Sequence, residues 1–112
     1  MKYIFDIDGT LCHSPKSPET GLPDYNLSTP IVKRIQKVNS LYEDGHTIIL
    51  FTARGMGRHN NNPILAIQEF YEITANQMKK WGVKYHNLVL GKPNGDFYID
   101  DKGVKDEDFF AD

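Results

Sequence analysis

The sequence predicts a single α/β domain with a small, mainly parallel sheet flanked by helices. Two patterns and one bound point to it. Short apolar runs rich in β-branched and aromatic residues alternate with longer segments whose apolar residues recur at spacings of three and four. Strands alternating with helices of that length imply right-handed crossovers and parallel pairing. At 112 residues, the chain can bury one core but not two, so residues 1–112 read as one domain.

Tyr3-Ile4-Phe5 with Ile7 form the first apolar run, stopped by Asp8-Gly9-Thr10, and suit a strand buried on both faces. From Leu11 to Pro30 the chain reads as a long loop, because Pro15, Pro18, Pro23 and Pro30 forbid regular structure over most of it. Ser28 as N-cap with Pro30 in the first turn predicts a helix start. Its apolar face is Ile31, Ile35, Val38, Leu41 and Tyr42, and it stops near Asp44-Gly45. Thr47 to Phe51 is the second strand, ending at Thr52. The loop Ala53 to Asn62 follows, with Gly55, Gly57, Arg54, Arg58 and His59. Pro63 opens a second helix whose expected inner side is Ile64, Ile67, Phe70, Tyr71, Thr74 and Met78, with Gly82 as its stop. Leu88-Val89-Leu90 is a third strand, Asn94-Gly95 a tight turn, and Phe97-Tyr98-Ile99 a fourth strand ending at Asp100-Asp101. The sequence contains no internal repeat, linker or low-complexity segment.

Thirteen basic residues stand against 15 acidic ones, a formal net charge of −2, which gives no global attraction to nucleic acid or anionic membrane. The one cysteine, Cys12, excludes an intramolecular disulfide and a multi-cysteine zinc site. It reads as a packing residue in a reducing compartment. The N-terminal run meets an acid at Asp6, which argues against a signal peptide, and no apolar run approaches the roughly 20 residues of a membrane span. A cytoplasmic location is the expectation.

In an open parallel sheet, function gathers where loops leave the carboxyl ends of strands. The four strand ends carry Asp6 and Asp8, then Thr52, then Lys92, then Asp100 with Asp101. Carboxylates brought close together repel unless a cation offsets them. Magnesium suits oxygen ligands and leaves room for a substrate phosphate. Lys92 can neutralise charge on a transferring phosphoryl group, Thr52 supplies a hydroxyl, and Gly9 lets the backbone near Thr10 approach the phosphate. On an extended strand, residues two apart point the same way. Asp6 can therefore attack phosphorus as a nucleophile while Asp8 protonates the leaving oxygen and then activates water. Arg54, two residues past Thr52, presents a planar fork suited to a phosphate or carboxylate of the substrate.

The runs Phe5-Asp6-Ile7-Asp8-Gly9-Thr10-Leu11, Leu50-Phe51-Thr52, Gly91-Lys92-Pro93 and Tyr98-Ile99-Asp100-Asp101 resemble the four motifs of the haloacid dehalogenase superfamily. The resemblance spans residues 5 to 101 and implies a Rossmann-like core with its first strand central, beside the fourth. It further implies Asp6 as nucleophile and metal ligand, Asp8 as acid/base and ligand through its backbone carbonyl, Thr52 and Lys92 as binders of the phosphate and the intermediate, Asp100 and Asp101 as metal anchors, and magnesium as the metal. Lys92 lies only eight positions before Asp100, where many relatives insert a helix. Neither long loop has room for a cap domain, so the site is expected to be open. Among capless relatives the chain looks similar to small phosphatase-like proteins associated with capsule or surface-polysaccharide synthesis.

The leading expectation is a hydrolase of a small phosphomonoester such as a sugar phosphate. Competing readings are a phosphoaspartate switch module, opposed by Asp8, and a nucleic-acid end phosphatase, opposed by the lack of a basic stripe. An open site on so small a domain leaves room for a lid from a second subunit. His13, Arg58 and His59 lie close enough in sequence to these motifs to be candidates for substrate contact.

Overall fold

The structure is a computed structural model and describes residues 1–111. Along the chain run β1 (Lys2–Phe5), β2 (Cys12–His13), a 3-10 turn (Tyr25–Leu27), β3 (Thr29–Pro30), α1 (Val32–Glu43), β4 (Thr47–Thr52), α2 (Pro63–Lys80), β5 (Asn87–Leu90) and α3 (Asp106–Phe109). β1, β4 and β5 form a parallel sheet in that order, with Phe5 beside Leu50 and Thr52 beside Leu90. β2 and β3 form a separate antiparallel pair.

Alternation sorts the sheet into two unlike faces. Tyr3, Phe5, Ile48, Leu50 and Leu88 pack with Ile35 and Val38 of α1 and Met78 of α2 in one core. Two successive crossovers in one direction and of one hand put both helices on the same face. α1 and α2 therefore flank the sheet on one face. Ile4, Ile49, Phe51 and Val89 occupy the opposite face, where Ile4 is 62% exposed and Val89 41%. β1 is also an edge strand rather than the central, doubly buried one expected.

Helix boundaries follow local chemistry where that chemistry is not claimed elsewhere. Asn62 caps α2 by accepting from the Ile64 and Leu65 N–H groups, and Gly82 ends it with φ 69°. Ser28 does not cap α1. Its hydroxyl bonds Ser14 Oγ at 2.6 Å and the next two residues pair as β3, so the helix begins at Val32. The inner face of α2 is also rotated from the expected one. Ala66, Thr74 and Met78 are buried while Ile64, Ile67 and Tyr71 are exposed, because Thr74 and Gln77 turn inward to a buried guanidinium.

The fourth strand does not form. Phe97 and Ile99 are 84% and 94% exposed, and the segment is held by short-range bonds instead. The Tyr98 hydroxyl donates to Pro93 O at 2.6 Å and accepts from Gly95 N–H, while Asp100 Oδ1 accepts from the Lys102 and Gly103 N–H groups.

The unanticipated α3 brings the chain back beside β1. Phe109 and Phe110 pack on Phe5 at ring separations of 5.5 and 5.9 Å, and Arg34 Nη1 bonds Asp106 Oδ2 at 2.7 Å. That bond from Arg34 is the main cause holding the Asp106 carboxyl below its ordinary 3.8. Its stabilisation is present above the unfolded pKa and lost as pH falls through the folded one. Asp106→Asn is thus expected to cost under about 1 kcal/mol near neutrality, with the difference from the parent vanishing in acid, as read by urea unfolding across pH. Among the described residues no helix is long and apolar enough to cross a membrane.

Candidate active site

The carboxyl ends of β1, β4 and β5 open into a cleft of about 760 Å³ walled by His13, Tyr25, Leu27 and Tyr98, with Asp6, Asp8 and Lys92 at its base. No inserted domain stands over it among the described residues. Asp6 follows directly on β1. Its Oδ1 lies 3.6 Å from Lys92 Nζ, and its Oδ2 accepts from Thr10 Oγ1 at 3.3 Å. Burial pushes the Asp6 carboxyl above its ordinary value; Lys92 and the Ile7 N–H pull it down, and Asp8 pushes it further up.

Lys92 is set by the sheet itself, since its N–H bonds Thr52 O at 3.2 Å in continuation of the β4–β5 ladder. Its ammonium lies 4.4 Å from the centroid of the Tyr98 ring. Gly9 adopts φ 80° on the cleft wall, a left-handed turn that suits glycine. The Thr10 N–H bonds back to Ile7 O, so Thr10 serves the site through its hydroxyl rather than its backbone. Thr52 is fully buried, and its hydroxyl accepts from the Arg54 N–H at 3.1 Å, away from the cleft surface.

Arg54 lies beneath the cleft in a polar cage. Its side chain is fully buried, with Nε 3.0 Å from Asp8 Oδ2, Nη2 3.1 Å from Asp8 Oδ1, and Nη1 bonded to Thr74 Oγ1 and Gln77 Oε1. The guanidinium also sits 4.6 Å from the Tyr25 ring centroid. Gln77 donates to Tyr25 O, which closes the cage. Ser14 Oγ donates to Asp8 Oδ1 on the cleft side. Arg54 lines the floor of the cleft, and in this chain its fork is engaged by Asp8, Thr74 and Gln77. Ser14, Tyr25, Thr74 and Gln77 were not read as site residues, and the polar Thr74 within the apolar face of α2, three residues before Gln77, was the available signal.

Asp100 and Asp101 are exposed and do not line the cleft that holds Asp6 and Asp8. The N–H groups of Lys102 and Gly103 hold the Asp100 carboxyl below its ordinary value. Among the described residues no three acid, histidine or cysteine side chains gather as a metal would need. Both Asp8 oxygens are taken by Arg54, and Asp6 by Lys92 and Thr10. The side chains of Asp100 and Asp101 thus do not join those of Asp6 and Asp8 within this chain, and two side-chain cations stand against the two cleft carboxylates. Arg58 and His59 turn to Glu69 on α2, at 3.3 and 2.6 Å, and not to the cleft; His13 lines it. Cys12 is buried, its thiol pushed up to about 11 by burial and by Asp8, as befits a packing residue.

A structural-genomics target from Vibrio cholerae, solved by crystallography, matches this fold with a TM-score of 0.83 and 28% identity, over 98% of this chain and 87% of its own. No family model matches the chain, and the search of curated proteins gives no significant match.

Proposed function

We propose that the chain is a phosphomonoester hydrolase of the haloacid dehalogenase type, working through an aspartyl-phosphate on Asp6. The observation that carries this reading is the Asp6 carboxylate at the end of β1, 3.6 Å from Lys92 Nζ and bonded to Thr10, at the base of an open cleft. A carboxylate so placed can attack phosphorus while the ammonium offsets the charge of the phosphoryl oxygens.

In the first step an Asp6 oxygen bonds to phosphorus and the ester P–O bond breaks. Asp8, as the acid, gives its proton to the departing alkoxide. In the second step water attacks the same phosphorus, Asp8 takes the water proton, and the acyl-phosphate bond breaks to release phosphate and restore the Asp6 carboxylate. Arg54 and Ser14 aim Asp8 into the cleft for both transfers. The expected magnesium would neutralise phosphate charge, but no step here is routed through it.

A cleft of this volume suits a small ligand, and its aromatic and apolar walls suit the body of a small phosphorylated metabolite such as a sugar phosphate. That substrate class agrees with the likeness to capsule and surface-polysaccharide phosphatases. The lone buried thiol agrees with a cytoplasmic setting. During turnover of p-nitrophenyl phosphate with magnesium present, a hydroxylamine-sensitive phosphoryl group is expected on the peptide containing Asp6, read by mass spectrometry after acid quench. Turnover with the label on any other residue would overturn the assignment.

A further inference from the structure

We propose that two copies of this chain exchange residues 96–101, the segment of each pairing in parallel with the free outer edge of β1 in the other. For its catalytic consequence the proposal rests on the phosphohydrolase reading; for its existence it rests on geometry alone.

Among the described residues β1 pairs with β4 on one side and with no strand on the other. Such an edge is a template for another strand. The chain meanwhile holds out Phe97 and Ile99, 84% and 94% exposed, with the half-exposed Tyr98 between them. That pattern, apolar on one face and a polar-tipped ring on the other, is what the outer side of β1 lacks. Tyr3 and Phe5 face the core, with Phe109 and Phe110 beside them, while Ile4 faces the open side. If Asp100 is drawn level with Asp6, Phe97 lies beside Tyr3, Ile99 beside Phe5 and Tyr98 beside Ile4. The two apolar side chains then meet the Phe109–Phe110 cluster, and Asp96 lies opposite Lys2.

The same chain cannot make this pairing with its own β1. β5 ends at Leu90 on the far edge of the sheet, and six residues, 91–96, precede Phe97. They would have to cross about 14 Å of strand spacings and return about 13 Å along the strand direction, around the outside of the sheet. The seven Cα steps from Leu90 to Phe97 reach about 23–25 Å at full extension, against about 19 Å straight through the sheet and more around its outside, and parallel connections take a dozen or more residues. An antiparallel hairpin with β5 fits the short link but carries Asp100 to the wrong end of the sheet. A second copy removes the constraint, and a short link between strands that cannot pair in cis is the circumstance in which exchange is favoured.

The surface area agrees. A compact monomer of 12.8 kDa exposes about 6,300 Å², whereas this chain exposes 7502 Å². The surplus of about 1,200 Å² exceeds the roughly 800 Å² that each partner buries in a standard stable interface. Exchange also brings Asp100 of the partner subunit and Asp101 of the partner subunit to the end of β1, gathering the acids that a single chain leaves apart.

Sedimentation equilibrium of the full chain is expected to give twice the chain mass, and Ile99→Asp or Phe97→Asp to give the single mass with an unchanged circular dichroism spectrum. Both side chains are exposed in one copy, so the fold does not depend on them. Oxidised Ile4→Cys/Tyr98→Cys protein is expected to run as a covalent dimer on denaturing gels. Mixing Asp6→Asn with Asp100→Asn/Asp101→Asn protein after brief denaturation should restore about a quarter of parent turnover, since half the dimers are hybrids with one intact site of two. A monomeric parent, a dimer that survives Ile99→Asp, an intrachain disulfide, or a dimer of active parent chains that fails to complement would each overturn the exchange. Were the parent inactive on every phosphoester, the phosphohydrolase reading would fall, and mass and cross-link would still decide the exchange.

Discussion

Arg54→Met is expected to lower stability by about 3 kcal/mol, the lower end of the cost of breaking a buried ion pair. The guanidinium is fully buried and its loss strands several groups at once. Asp8 would lose two donors, and Thr74 Oγ1 and Gln77 Oε1 their shared one. The lower end applies because the Asp8 side chain keeps 25% exposure and can recruit water. For a domain of this size about 3 kcal/mol corresponds to a fall in Tm of roughly 12 °C or more, measurable by thermal unfolding. The catalytic effect is separate in kind. An Asp8 carboxylate displaced by about 1 Å would cost about 10²-fold in kcat, measured at a temperature where the variant is folded. Arg54→Lys keeps the charge but not the fork, so it should recover part of the stability and little of the rate. An unchanged Tm in Arg54→Met would show that the cage around Asp8 is not as close as described.

Asp6→Asn is expected to abolish phosphate release while leaving the protein at least as stable as the parent at neutral pH. The first part follows from the attacking atom: an amide nitrogen or oxygen does not form the acyl phosphate. The second follows from the raised Asp6 carboxyl, whose largest cause is burial. A carboxyl with a folded pKa above its unfolded value gives a contribution fully present below about 3.8, which is lost as pH rises through the folded pKa. At neutral pH the ionised group is held against its preference, a cost that function requires and the amide does not incur. The difference in Tm between variant and parent should therefore move in the variant's favour as pH rises through that interval. A variant much less stable than the parent at pH 7 would mean that the Lys92 contact outweighs the desolvation.

Both variants turn on features of unequal visibility in the sequence. β4, β5, α1 and α2 were legible because their signals are local: apolar period, the Pro63 start, the Gly45 and Gly82 stops. Asp6, Asp8 and Lys92 were legible as a group because a parallel sheet collects its strand ends along one edge. The cage around Arg54 was not legible because it depends on how α2 is rotated, and that rotation is set by the inward Thr74 and Gln77 rather than by the apolar residues Ile64, Ile67 and Tyr71. The Phe97–Ile99 run has the composition of a strand, but composition says nothing of whether a six-residue link can reach an edge. β1 failed the doubly buried reading because α1 and α2 both pack on the Tyr3–Phe5 face, which leaves Ile4 on the uncovered one.

The bond from the Lys92 N–H to Thr52 O has a bearing on motion. It makes the lysine the last rung of the sheet, while the residues immediately after it are tied mainly to one another through Tyr98, Pro93 and Gly95. Amide opening in such a segment needs only the loss of a few exposed bonds, whereas opening at Lys92 requires fraying of β5 from β4. The positive charge beside Asp6 is thus anchored independently of the segment that follows it. The mouth of the cleft can open, close or be rebuilt by another copy without the ammonium leaving its post.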